Sequence, residues 1–225
     1  MFAELRKPLF IASLVLIGLV LLAEMGTAVA APFIGEAGGA AGWGIPMLAL
    51  LDIQLLYTAL LMAAPLLFPE SVTGRVQGIS TFIVSLILFI VGIIAGLAAF
   101  GLLMLMIALL TALPFGPIVY TGMGFATFPK AGAAATLSFI VLCKLASVGC
   151  LVFAHQRFME NKGLMLLIGT SLLATVIVSF LQGFVPLFLV SVTDLIGALI
   201  VVVLALIWAL VGLIFGLIAV VKALG

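Results

Sequence analysis

Apolar residues fill this chain in six long blocks, and each block ends where glycine, proline or charged residues gather. The blocks lie near 8–31, 45–68, 77–113, 131–155, 163–184 and 190–222. Each is long enough to cross a bilayer as a helix, which takes about 20 residues at roughly 1.5 Å per residue. Between them stand Gly-Glu-Ala-Gly-Gly at 35–39, Phe-Pro-Glu-Ser at 68–71, Pro-Phe-Gly-Pro at 114–117 and the polar run from Gln156 to Lys162. These are loop signals, and no polar segment is long enough for a soluble domain. The pattern predicts an all-α integral membrane protein with six transmembrane helices.

The third and sixth blocks hold 37 and 33 residues. As helices they would run roughly 50 Å or more, well beyond a hydrocarbon core of about 30 Å. Either they tilt and project, or they break, the third near Gly101. The first block has Arg6 and Lys7 in front and Ala28-Val29-Ala30 behind, which imitates a cleaved secretory signal. The apolar run continues to Ala31 with Pro32 close behind, so a retained first span is expected.

A shift of 120 residues superimposes the end of the first half on the end of the second. Leu67, Phe68, Ser71, Val72, Thr73, Leu86, Ile87, Val91, Gly92, Ile94, Gly96, Leu97 and Ala99 meet their own residue type, giving 13 identities in the 33 ungapped positions 67–99. Apolar matches arise easily by chance, whereas Ser-Val-Thr and Gly-x-x-x-Gly are more telling. Three spans per copy is an odd number, so the second copy must enter the membrane from the opposite face. The expected architecture is two inverted three-helix repeats, 1–113 and 131–225, joined by an extracytoplasmic connector at 114–130. Gly92, Gly96, Gly212 and Gly216 leave flat strips near the middle of the third and sixth helices, where those helices are expected to cross. The same strips would also serve a homodimer.

Composition agrees with the block pattern: 67% of residues are hydrophobic and 7% charged, against about a quarter charged in soluble domains. A net charge of +1 without a basic cluster leaves no footprint for nucleic acid. With the N-terminus inside, Arg6, Lys7, Arg75, Arg157, Lys162 and Lys222 fall in the cytoplasm and Lys130 outside. That bias predicts cytoplasmic N- and C-termini in a plasma (inner) membrane.

Three ionisable residues fall inside the spans. Glu24 and Asp52 each lie several residues below the outer end of their helices, at similar depth, and Lys144 lies near the middle of the fourth helix. Intramembrane charges cost several kcal/mol unless paired or wetted, so each marks a candidate ion or solute site. Lys144 is the position 120 beyond Glu24, which suggests an ion pair across the repeat axis with Asp52 as exchange partner. In the alternative, Glu24 reaches a wet vestibule while Lys144 snorkels or bonds a carbonyl. Asp194 is expected to cap the start of the sixth helix. Gln54, Tyr57 and Thr58 on the second helix, with Thr170, Ser171, Thr175 and Ser179 on the fifth, would line a polar path or bond between helices.

The chain has no GxSxG, HExxH or P-loop. Cys143 and Cys150 are seven apart in one helix and cannot pair, and His155, the single histidine, falls at a span end beside Arg157. No cofactor, metal site or catalytic activity is expected. Symmetry and buried charge favour a transporter or channel for an ion or small solute. The rival is a non-catalytic scaffold subunit that meets a membrane-protein partner through its long helices; both readings place the chain in a lipid bilayer.

Overall fold

The computed structural model describes residues 2–33, 43–67, 70–112, 131–154, 160–183 and 190–224. The 114–130 connector, the glycine-rich segment at 35–39, Lys130, His155 and Arg157 lie outside these residues. Six helices carry the described chain: α1 Phe2–Ala30, α2 Gly44–Leu67, α3 Glu70–Ala112, α4 Ala131–Ala154, α5 Lys162–Gly183 and α6 Val190–Leu224. All six are long and apolar enough to cross a membrane, as the block pattern predicts.

Several ends differ from those predicted. Helix α1 starts six residues before the first apolar block and takes Pro8 into its second turn. A proline there, the seventh residue of the helix, forgoes the one backbone hydrogen bond that an N–H would make to the carbonyl four residues back. Helix α3 starts at Glu70, inside the segment expected to be a loop. It then runs unbroken for 43 residues, about 64 Å. The break considered at Gly101 does not occur: a single glycine costs a helix only about 1 kcal/mol, and both flanks of this one are apolar.

The bundle places apolar side chains outward as well as inward. Leu22 and Phe153 are about 70% exposed on the surface, while Ser13, Glu24, Asp52, Gln54, Lys144, Ser171 and Thr175 are buried. A surface this apolar is stable only against lipid, and the backbone polar groups are satisfied within each helix as a membrane demands. Helices α3 and α6 share the most extensive interface, followed by α1 and α4. The first pair runs antiparallel: Gly78 lies beside Ala219, Gly216 beside Phe82, Gly212 beside Ser85, Gly92 beside Leu206 and Gly96 beside Val202. The glycines therefore do not meet one another at a single crossing. Each faces a side chain or backbone segment of the opposite helix, and the close approach extends over several turns.

The tightest approach to backbone is at Gly216, where an added Cβ would come within 2.7 Å of the Phe82 backbone nitrogen. At Gly212 the missing side chain admits Ser85 and the Gln54 amide, and Gln54 Nε2 donates to the Trp208 carbonyl at 2.7 Å. That bond ties α2 to α6. About one turn further along α2, the Tyr57 hydroxyl is 2.8 Å from Ser80 Oγ and 3.2 Å from Thr81 Oγ1 of α3.

Candidate ion site

The middle of the bundle is built where α1, α2, α4 and α5 converge. Helices α1 and α4 pack closely, and Ser147 Oγ donates to the Ser13 carbonyl at 3.1 Å. That contact puts Lys144 about level with Leu16, roughly 12 Å along the axis from Glu24. The charged ends meet nevertheless, because side chains on a helix lean toward its N-terminus. In helices pointing opposite ways, Lys144 and Glu24 lean toward each other.

The shorter ion pair of the cluster is with Asp52. Lys144 Nζ lies 2.8 Å from Asp52 Oδ2 and 3.6 Å from Glu24 Oε1. It also donates to Thr175 Oγ1 at 2.8 Å. Thr175 in turn donates its hydroxyl hydrogen to the Ser171 carbonyl at 2.9 Å, which leaves the hydroxyl oxygen free to accept from the lysine. Ser171 Oγ donates to Asp52 Oδ1 at 2.5 Å. Four positions in sequence bring Ser171 and Thr175 to one face of α5, so that face grips the acid and the base together.

Exposure of the three charged residues is 0% for Glu24, 0% for Asp52 and 4% for Lys144. Lys144 does not snorkel, and Glu24 does not open to a vestibule. Among the described residues, neither oxygen of Glu24 has a hydrogen-bond donor, and Asp52 Oδ2 meets the lysine at short range without hydrogen-bond alignment. Beside the cluster, toward the N-terminal half of α1, lies a small cavity with Ile17, Val20, Leu55, Leu151 and Ile168 among its walls. Its free volume of about 10 Å³ is close to what a single water needs.

The sequence-predicted residues thus divide. Glu24, Asp52 and Lys144 come together, with Ser171 and Thr175 as their polar neighbours. Gln54, Tyr57 and Thr58 do not line the cluster: the first two bond to α6 and α3, and Thr58 donates to the Gln54 carbonyl at 2.8 Å in its own helix. Thr170 likewise donates to the Leu166 carbonyl at 2.8 Å. Asp194, expected to cap its own helix, stands in the second turn of α6 and accepts from the Gly44 N–H at 3.2 Å, the first residue of α2. It places a negative charge at the positive end of a neighbouring helix, and Gly44 permits the approach because a Cβ there would collide with the carboxylate. Asn161, which the block pattern passed over, accepts from the Leu164 N–H at 3.0 Å and caps α5. No protein-family description, curated protein or solved structure matches the chain.

Proposed function

We propose that this protein is a membrane transporter that moves an ion or small solute, with Glu24, Asp52 and Lys144 as its exchangeable centre. The observation that carries the reading is one lysine within 3.6 Å of two fully buried carboxylates from different helices. A single well-made ion pair would suffice to lock helices. A second acid beside the pair gives the lysine two partners, so occupancy at one can change its hold on the other. Helices α1, α2 and α4, tied by these contacts, would then shift together.

We further propose two inverted three-helix repeats with both termini in the cytoplasm of a plasma-membrane protein. Support comes from register. Helices α3 and α6 begin at residues 70 and 190, the same offset as the sequence repeat. The shift also converts the Gly96–Val202 approach into Gly216–Phe82, and both approaches exist. Inverted repeats with a polar site near the midplane suit alternating access, in which one half rocks against the other.

One observation favours the scaffold reading. Only 22% of the membrane-spanning window of α3 is buried within the chain, which leaves a long face for lipid or another protein. Purification of the full chain alone, followed by reconstitution into vesicles and flux measurements with protons, alkali cations and chloride, decides between them. Transport predicts flux that Asp52→Asn abolishes. A chain that is stable only with a co-purifying partner, and shows no flux, is a scaffold.

A further inference from the structure

We infer that the ion held at this centre is a proton, carried on Glu24 and shared with Asp52. The inference deepens the transport reading and depends on it for its meaning, although the bound proton can be detected without any transport.

The argument begins with charge. Two acids and one lysine, all at 4% exposure or less, leave one negative charge uncompensated in a medium where that costs several kcal/mol. Asp52 from α2 and Lys144 from α4 are the charged groups that act on Glu24. From α5 the cluster receives the hydroxyls of Ser171 and Thr175, which are neutral. One more positive charge is required. A water in the adjacent cavity would supply hydrogens but no charge.

Geometry selects the proton over a metal cation. A hard divalent cation takes about six oxygen ligands. Here the lysine ammonium fills the position beside Asp52 Oδ2, and the Ser171 carbonyl already accepts a hydrogen bond from Thr175. Among the described residues no third acid, histidine or cysteine joins the two carboxylates, and the cavity has room for about one water. The oxygens that lack a donor are the two of Glu24 and Oδ2 of Asp52. A proton on Glu24 turns that carboxyl into a donor toward Asp52, removes the excess charge and leaves Lys144 paired with Asp52. When the proton leaves, Glu24 competes for the lysine across 3.6 Å. The number of protons held then equals the number of acids minus the number of lysines.

That rule is tested by infrared spectroscopy of the purified full chain in lipid vesicles at neutral pH, reading the C=O stretch of protonated carboxyl groups as differences from wild type. Glu24→Gln should remove one protonated carboxyl. Asp52→Asn should remove it too, because the remaining acid and Lys144 then balance. Lys144→Met should add one. Unchanged spectra in Glu24→Gln and Asp52→Asn overturn the inference, as does stabilisation of the wild type by sodium, potassium or calcium at fixed pH. If Lys144→Met does not fold, the two acid variants decide alone. Predicted spectra without flux of any ion leave the proton site standing and remove the transport reading. Flux of another ion with unchanged spectra does the reverse.

Discussion

Removing one partner from a buried ion pair costs about 3–5 kcal/mol, because the other charge is left without compensation. Lys144→Met should lower the stability of the full chain by less than that amount, because an acid takes up a proton in place of the lysine, measured by thermal unfolding in detergent. Adding Asp52→Asn to it should recover much of the loss, since Ser171 can still donate to the amide oxygen. Independent, additive effects of the two substitutions would show that the pair is not coupled. The three charged residues were legible in sequence because an ionisable group inside an apolar block is unusual. Their arrangement was less so. The 120-residue offset pairs Lys144 with Glu24 and sets Leu172 opposite Asp52, whereas the 2.8 Å contact is with Asp52. A shift in sequence carries no information about side-chain lean or reach, and Ser171, beside Leu172, supplies the partner that the alignment missed.

Helix pairs depend on how closely their backbones can approach, so the glycines of α3 and α6 should differ in sensitivity. Gly216→Ala drives a methyl group into the Phe82 backbone at 2.7 Å, which cannot be relieved by a rotamer change, and a loss of about 1–3 kcal/mol is expected. Gly92→Ala meets the flexible end of Leu206 at 2.8 Å and should cost less. Gly101→Ala meets nothing within 4 Å and should be neutral or stabilising by up to about 1 kcal/mol. Equal effects at all three positions in a thermal unfolding series would contradict the packing register. Asp194→Ala should cost about 1 kcal/mol through the lost cap on α2, and amide hydrogen exchange in the first turn of α2 should then speed up. Helix number was legible because apolar length alone decides it, whereas the starts of α1 and α3, which take in polar residues ahead of the apolar run, were not. Which helix Asp194 caps was not, since it depends on the meeting of α2 and α6, 150 residues apart.

At the scale of the molecule, apolar side chains cover the bundle and its polar groups collect inside, where three helices contribute charge and a fourth contributes hydroxyls. Such an interior is costly to assemble, and the proposed return is a site whose occupancy alters helix contacts. Proton flux under an imposed pH gradient tests this most directly, with full-length protein in vesicles and Glu24 as the variable. Wild type should carry protons well above empty vesicles, Glu24→Asp should retain part of the flux, and Glu24→Gln should fall to the empty-vesicle level. Wild-type flux through Glu24→Gln would contradict the account.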